Sequence, residues 1–277
     1  MINSIVRSII DNTFLPNYGP IKTYFRKNNL VYNEENIIPG GFTLNFCGIK
    51  EEKLFEQDLK TQPEDWYYRT HEVKYTLNSL GYRTREFDDI DWKESIVMFG
   101  CSYVFGKGVA DQHTIPHFLE KLSGRPVINM GINASSVQTV LHNSIIFADS
   151  KYPTPKVVVN MWTYLSRYQI YERNFVIHNE ELNSSDNLFE KKENSLSFNL
   201  MNIKMIRNLW KNKTIYYEGT IDGSNQHKLI NKLDKEIYCE FFEHDGGLAR
   251  DLGHIGPVKN LEIAKKIYEK IKPQLNS

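Results

Sequence analysis

The chain has 277 residues, with 34 basic and 34 acidic side chains, a net charge of +0 and 40% hydrophobic residues. This composition is typical of a globular protein, and the balanced charge argues against nucleic-acid binding, which usually needs a basic surplus to neutralise phosphates. No apolar run approaches the roughly 18 residues that a membrane-spanning helix needs. The length favours one large domain with an appendage, or two small domains.

The N-terminal segment Met1–Phe14 contains apolar residues, but Arg7 and Asp11 interrupt them. The pattern therefore predicts a short amphipathic helix rather than the apolar part of a secretory signal. The chain has 3 cysteines, without metal-ligand spacing and without the even number that a disulfide framework needs. These features favour a cytoplasmic, reducing location. They leave the oligomeric state open.

Taken in chain order, residues 1–93 carry turn signals and many aromatic residues but no strand–helix repeat. We interpret them as an N-terminal extension that packs on a core domain over residues 94–277. In the core domain, short β-branched or aromatic runs predict strands over Ser95–Phe99, Pro126–Met130, Lys156–Met161, Thr214–Tyr217 and Glu236–Phe242. Amphipathic stretches between and after them predict helices over Ile115–Leu122, Ser135–Asp149, Leu200–Lys211, Gln226–Lys235 and Val258–Ile271.

Repeated strand–helix alternation predicts the fold class α/β, as a three-layer α/β/α sandwich around a five-stranded parallel sheet. Residues 165–199 are polar and interrupt the alternation after the third strand. We interpret them as an inserted loop or lid, since long loops in compact domains are often functional.

A serine follows the first predicted strand of the core domain. The segment Gly100–Gly106 reads Gly-Cys-Ser-Tyr-Val-Phe-Gly, with Ser102 two residues after the glycine that ends the strand. In a parallel sheet the carboxyl ends of the strands face the ligand crevice. A serine at this place lies near a helix N-terminus, whose backbone N–H groups stabilise an oxyanion.

An acid and a base stand near the other end of the chain, in the segment Asp251–His254, which reads Asp-Leu-Gly-His. A spacing of three residues on one helical turn places both side chains on one side. The carboxylate of Asp251 then orients the imidazole of His254, which acts as the base that a serine nucleophile needs. Ser102, His254 and Asp251 are therefore the candidate catalytic residues.

Three other interpretations of nearby residues are weaker. The thiol of Cys101 is a possible nucleophile, but its position next to Ser102 on a strand end points it to the opposite side. His113 and His117 have a spacing that two metal ligands can share, but Pro116 separates them and no third ligand is evident, so we expect no metal. Gly106-x-Gly108 lacks the further glycine and acid of a dinucleotide-binding loop.

These segments resemble the conserved blocks of the SGNH/GDSL hydrolase family. The first block, Gly-Asp-Ser-x-x-x-Gly, is similar to Gly100–Gly106, with Cys101 in place of the acid. The last block, Asp-x-x-His, is matched by Asp251–His254 and is followed by Gly-Pro and a helix, as in the family. The second block is similar to Val127–Ser135, and Tyr75–Arg83 is similar to a lead-in that precedes the first block in some members.

The resemblance covers about residues 72–272 and implies the flavodoxin-like SGNH fold. It also implies an oxyanion hole formed by the backbone N–H groups of Ser102 and of Ala134 or, on a different alignment, Gly131. The family mechanism uses an acyl-enzyme that water releases, so it implies no cofactor and no metal.

One family block is absent. The third block, Gly-x-Asn-Asp, is replaced by Asn160–Arg167, and the asparagine donor of the family falls near Tyr164, with Thr163 beside it. Hydroxyl groups also donate to an oxyanion, so we expect Thr163 and Tyr164 to contribute. The residues that we expect to contact substrate are Trp162, Arg167 and Tyr103.

The resulting hypothesis is a serine esterase that cleaves carboxylic esters, with short acyl or acetyl groups on a small molecule or a glycan as the expected substrates. Two alternatives stay open. The same residues would support an O-acyltransferase, in which an acceptor sugar replaces water. Loss of the third-block asparagine would also suit a carbohydrate-binding or structural module that keeps the fold without turnover.

Overall fold

The structure is a computed structural model. It describes residues 42–45, 55–56, 59–71, 73–78, 80–133, 135–165, 167–170, 173–176, 192–221, 226–234, 239–243 and 247–275. The nine strands in these ranges are β1 (Phe42–Asn45), β2 (Lys74–Leu77), β3 (Ile96–Gly100), β4 (Val127–Gly131), β5 (Val157–Trp162), β6 (Arg167–Ile170), β7 (Arg173–Val176), β8 (Ile215–Thr220) and β9 (Cys239–Phe241).

The α-helices in the described ranges are α1 (Ser102–Phe105), α2 (Ile115–Ser123), α3 (Val137–Ala148), α4 (Lys192–Trp210), α5 (Gln226–Asn231) and α6 (Pro257–Leu275). Short 3₁₀ turns lie at Leu59–Thr61, Tyr67–Arg69, Phe87–Asp89, Trp92–Glu94 and Asp111–His113. None of the described helices combines the length and apolarity needed to cross a bilayer.

Five strands form one parallel sheet in the order β4-β3-β5-β8-β9. The chain leaves β3 toward β4 on one side and later returns to place β5 on the other side of β3. The strand order therefore reverses at β3, and the crevice of such a sheet opens at the carboxyl ends of the strands at that point. Gly100, the last residue of β3, is level with Gly131 of β4 and Met161 of β5.

Each face of the sheet has its own core, because successive side chains of a strand point to opposite faces. On one face, Val97, Phe99 and Val158 pack with side chains of α3, α4 and α5. On the other face, Ile96, Met98 and other strand residues pack with α2 and α6. The predicted α/β fold class, with a five-stranded parallel sheet between helical layers, is confirmed.

The segment predicted as a polar loop over residues 165–199 contains regular structure where it is described. Strands β6 and β7 pair as an antiparallel hairpin, and α4 begins at Lys192 rather than at Leu200. Asn199 ties the helix to the chain before the hairpin, because its Nδ2 donates to the carbonyl of Leu165 at 2.7 Å. A helical turn rich in polar residues lacks the apolar periodicity from which a helix is predicted.

The described part of residues 1–93 contacts the core domain. Strand β2 pairs with β1 in an antiparallel ladder. Side chains before and within β2 pack against residues after β3 and against one residue close to Asp251. This third apolar cluster consists of Tyr68, Val73, Tyr75 and Leu77 from the first group, Phe105 and Val109 from the second, and Ala249. The helix predicted over Met1–Phe14 lies outside the described residues.

A buried charge pair joins the sheet to α4. Glu218 of β8 is fully buried, and Arg207 of α4 donates to its carboxylate from Nη2 and from Nε. Trp162 Nε1 and the Tyr216 hydroxyl donate to the same carboxylate, each at 3.0 Å. Four donors thus satisfy the charge, which explains how a glutamate is tolerated in the middle of a core strand.

We expect Arg207→Met to lower the free energy of unfolding by about 3–5 kcal/mol, because it leaves a buried carboxylate without its cation. Urea denaturation at neutral pH measures the loss. Lys151→Met is the matched control, since Lys151 pairs with Asp88 on the exposed surface. An exposed ion pair contributes little to the free energy of unfolding, so the control should unfold at nearly the same urea concentration as the wild type. Equal midpoints for all three proteins would contradict the stabilising role of the buried pair.

Candidate active site

The turn after β3 places Ser102 at the first residue of α1. Gly100 allows this turn, because a Cβ atom there would lie 2.8 Å from the carbonyl oxygen of Met161 and 2.5 Å from Val104 Cγ2. Ser102 is largely buried, and its hydroxyl faces the C-terminal part of the chain. The thiol of Cys101 is buried in the apolar cluster that faces α2 and α6.

The segment with the acid and the base forms a closed turn before α6, not the helical turn that its spacing predicts. Leu252 has a positive φ of 54°, which ends any helical path. One oxygen of Asp251, Oδ1, accepts hydrogen bonds from the backbone N–H groups of Gly253 (3.2 Å) and His254 (3.1 Å). The carboxylate thus holds the turn that carries its own partner.

The three predicted catalytic side chains meet in one hydrogen-bond chain. His254 Nδ1 lies 2.6 Å from Asp251 Oδ2, and His254 Nε2 lies 2.8 Å from Ser102 Oγ. The serine and the histidine are 152 residues apart in sequence. The carboxylate is nearly fully buried, while the imidazole keeps some exposure.

Two opposing effects act on the pKa of Asp251. Burial raises it, but the hydrogen bond and charge of His254, the Gly253 N–H and the charge of Lys107 together hold it below its ordinary value. The carboxylate is therefore ionised at neutral pH and accepts a hydrogen bond from the Nδ1–H group of His254. The other ring nitrogen, Nε2, is then free to accept the proton of the Ser102 hydroxyl.

Aromatic and cationic side chains lie beside the imidazole. The Tyr103 ring is 5.0 Å from the His254 ring, and Tyr164 is a neighbour of its hydroxyl. Burial raises the pKa of the Tyr103 hydroxyl, which therefore stays protonated. Arg167 covers the Tyr164 ring at 5.0 Å and donates from Nη1 to Thr163 Oγ1 at 2.7 Å. The structure thus brings four of the predicted non-triad residues together next to the triad.

Strand register sets which residues are level with Ser102. Gly100 pairs with Met161 and with Gly131, so Thr163 and Asn133, two residues farther on, lie at the same edge as Ser102. Both side chains are largely buried. The sequence analysis did not predict Asn133 as a site residue, because Asn133 lies within the second block and the family resemblance gives it no functional role.

Two predicted site residues do not serve the predicted roles. The N–H of Gly131 already donates to Asn129 Oδ1 at 2.9 Å, and this glycine packs under α1, so the N–H does not face an oxyanion. Trp162 is buried in the core and donates to Glu218 rather than contacting substrate. The remaining predicted donor, Ala134, lies outside the described residues.

The two histidines considered as metal ligands have other neighbours. His113 Nδ1 lies 3.2 Å from the Tyr68 hydroxyl, and burial lowers the pKa of both His113 and His117. In the part of the chain that the structure describes, no group of three or more His, Cys, Asp or Glu side chains is arranged to hold a metal ion.

Sequence reasoning missed the close contact between Gly108 and the acid. Gly108 has a φ of +73°, and a Cβ atom there would lie 2.8 Å from Asp251 Oδ1. The glycine therefore permits both the turn and the approach of the carboxylate. A glycine pair after a strand is too common to indicate such a contact in sequence.

We expect Gly108→Ala to destabilise the protein more than Gly124→Ala. Both positions have positive φ, so both variants incur a left-handed strain of about 1–2 kcal/mol. Only Gly108 also faces the carboxylate, whereas a Cβ at Gly124 meets nothing within 4 Å. Urea denaturation of both variants gives the comparison. Equal losses would show that Asp251 adjusts to the methyl group without cost.

Comparison with family models and with curated proteins finds no match for this chain. Several solved structures are similar. A protein of the lipolytic G-D-S-L family from Desulfitobacterium hafniense DCB-2 has 14% identity and a TM-score of 0.42, over 64% of this chain and 98% of its own. A member of the same family from Veillonella parvula DSM 2008 has 16% identity and a TM-score of 0.41, over 63% and 96%.

A family two carbohydrate esterase from Clostridium thermocellum, solved in complex with cellohexaose, has 12% identity and a TM-score of 0.45, over 67% of this chain and 65% of its own. The chain thus spans slightly less than two thirds of that esterase. The first two structures are described as members of the G-D-S-L family, and the blocks Gly100–Gly106 and Asp251–His254 resemble the blocks of that family.

Proposed function

We propose that this protein is a serine hydrolase that cleaves carboxylic esters through an acyl-enzyme on Ser102. The observation that carries the proposal is the unbroken hydrogen-bond chain from Asp251 through His254 to the Ser102 hydroxyl, at 2.6 and 2.8 Å. A serine hydroxyl is a weak nucleophile by itself, and an oriented imidazole within hydrogen-bond reach supplies the base that it needs.

Each residue has a defined role in this mechanism. His254 Nε2 takes the proton of Ser102 as the Oγ atom attacks the acyl carbon, and then gives it to the leaving alcohol. Asp251 holds the ring and stabilises the imidazolium that forms. A water molecule, deprotonated by the same nitrogen, then attacks the acyl carbon; the bond from that carbon to Ser102 Oγ breaks, His254 returns the proton to Oγ, and the carboxylic acid is released.

The oxyanion of the tetrahedral intermediate needs donors at the strand ends. Ser102 is the first residue of α1, where a backbone N–H has no acceptor within the helix. The Thr163 hydroxyl is the proposed side-chain donor: its oxygen accepts from Arg167, which leaves its proton to donate elsewhere. Removing one oxyanion donor typically costs about 3–4 kcal/mol of transition-state stabilisation.

The proposed substrates carry a short acyl group, with a sugar as one form of the alcohol. The Tyr103 ring lies next to the imidazole of His254. Its bulk beside the base supports a binding site for a small acyl group. The ring of Tyr164 is 39% exposed beside it, and an exposed aromatic ring with a polar tip suits contact with a sugar. Arg167 holds that ring in place from one side.

The test of the proposed function is covalent labelling of the folded protein by a fluorophosphonate probe. We expect labelling of the wild type and none of Ser102→Ala, because only an activated serine reacts. Hydrolysis of p-nitrophenyl acetate should fall on the order of 10⁶-fold in Ser102→Ala and in His254→Ala. Cys101→Ala is the matched control and should keep both reactions, since its thiol is buried away from the triad.

Two results would contradict the proposal. A wild-type protein that is not labelled would favour the binding or structural module. Unchanged hydrolysis in His254→Ala would show that the imidazole is not the base.

Contact of Tyr164 with the alcohol part predicts a selective effect. We expect Tyr164→Ala to raise KM for an acetylated sugar about tenfold, because one stacking contact is lost, and to leave KM for p-nitrophenyl acetate nearly unchanged. Tyr164→Phe, which keeps the ring, separates stacking from the hydroxyl. Equal KM changes for both substrates would exclude a sugar-specific role.

A further inference from the structure

A buried guanidinium lies beneath the turn that follows Ser102. Arg83 is 6% exposed and belongs to the segment between β2 and β3, outside the predicted hydrolase domain. Its Nη1 donates to the carbonyls of Phe105 (3.2 Å) and Gly106 (2.6 Å). Its Nη2 donates to the carbonyl of Val109 (2.8 Å). One side chain thus donates hydrogen bonds to three backbone carbonyls, at the end of α1 and in the turn after it.

The short length of α1 makes these contacts important. The helix Ser102–Phe105 has four residues, and a helix of one turn is not stable by itself. Carbonyls at a helix C-terminus lack partners within the helix, and a cation there complements the helix dipole. Arg83 supplies both partners and charge. A lysine has no planar fork of donors and does not reach three carbonyls in this geometry.

The guanidinium is itself held from several sides. Its Nε donates to Asp111 Oδ1 at 2.6 Å, and its Nη2 donates to the carbonyl of Lys74 at 3.3 Å. The ring of Tyr75 lies 4.3 Å from its central carbon. These contacts leave the side chain one orientation, in which its remaining donors face the turn.

Tyr75 provides a second contact between β2 and the same turn. Its hydroxyl accepts a hydrogen bond from the N–H of Gly108 at 2.8 Å. The carbonyl of Gly108 accepts from the N–H of Arg250 at 2.8 Å, and the Cα of Gly108 faces the carboxylate of Asp251. The turn between these contacts therefore connects the serine side of the site to the acid side.

We propose that Arg83, together with Tyr75, positions the nucleophile of this hydrolase: the two side chains hold the 105–109 turn so that Ser102 and Asp251 keep their distances to His254. This inference rests on the proposed function. It extends the functional unit toward the N-terminus beyond residue 94, because the contacts come from residues 74–83. Neither residue touches the reacting atoms, so both act through the turn.

The first variant is Arg83→Lys, which keeps the charge and removes the fork. We expect kcat for p-nitrophenyl acetate to fall about 10–100-fold per active site, with KM within about twofold, because misplacement of about 1 Å has such effects on rate. Active sites are counted by titration with the fluorophosphonate. A merely structural role lowers the titrated fraction and leaves the rate per titrated site unchanged.

Arg85→Lys is the matched control. Arg85 lies two residues farther along the same segment, is partly exposed and pairs with Glu120, with no contact to the turn. We expect its rate per site to equal that of the wild type. Tyr75→Phe is the second variant: it keeps the ring against Arg83 and removes the acceptor for Gly108, so we expect a loss of about threefold to tenfold in kcat.

The outcomes separate the two proposals. If the wild type is labelled and both Arg83→Lys and Tyr75→Phe react at the wild-type rate per site, the positioning role is wrong and the hydrolase stands. If Arg83→Lys does not fold, a wild-type rate in Tyr75→Phe overturns the proposal and a reduced kcat with unchanged KM supports it. If the wild type itself is not labelled, both proposals fail.

Discussion

The hydrogen bond between His254 Nε2 and Ser102 Oγ is the contact on which the interpretation of this protein depends. It joins two segments that are 152 residues apart, at a distance of 2.8 Å. Neither segment is a long regular element: Ser102 begins a helix of four residues, and His254 ends a closed turn. The sheet and α6 bring them together, and local hydrogen bonds hold each in place.

The parallel sheet aligns the strand ends around which the site is built. Gly100 is aligned with residues of both neighbouring strands, so three chain segments emerge at one edge. Glycines at this level let backbone approach backbone, since a Cβ at Gly131 would lie 2.3 Å from the N atom of Phe105. This closeness allows α1 to pack on the sheet, while the N–H of Gly131 donates to Asn129 Oδ1.

Two buried arginines show how the fold holds polar groups in its interior. Arg207 donates to the carboxylate of Glu218 within the core, and Arg83 donates to backbone carbonyls of the turn that follows Ser102. Apolar packing cannot serve either purpose, because a buried carbonyl or carboxylate without a donor is costly. A planar guanidinium with five donors can serve several acceptors at once. Both arginines therefore satisfy buried acceptors in the same way.

Residue patterns located most of the strands and helices around the sheet, because buried strands are short apolar runs and surface helices repeat their apolar residues every three or four positions. They also singled out Ser102, Asp251 and His254, since their roles require particular side chains at local spacings. The prediction of a helical turn at Asp251–His254 was wrong. A three-residue spacing suits a helix, but the Asp251 carboxylate closes a different turn by accepting hydrogen bonds from backbone N–H groups within it.

Other features follow from contacts between residues that are distant in sequence. Trp162 follows a strand end in sequence, yet Glu218 on the neighbouring strand draws its indole into the core. Several partners of Arg83 are backbone carbonyls more than twenty residues away, and carbonyls are the same at every position of a sequence. The β6–β7 hairpin has strands of only four residues each, too short for their pattern to stand out within a segment rich in polar residues. Contacts of these kinds depend on which distant groups meet in space, and no local pattern of residue types records that.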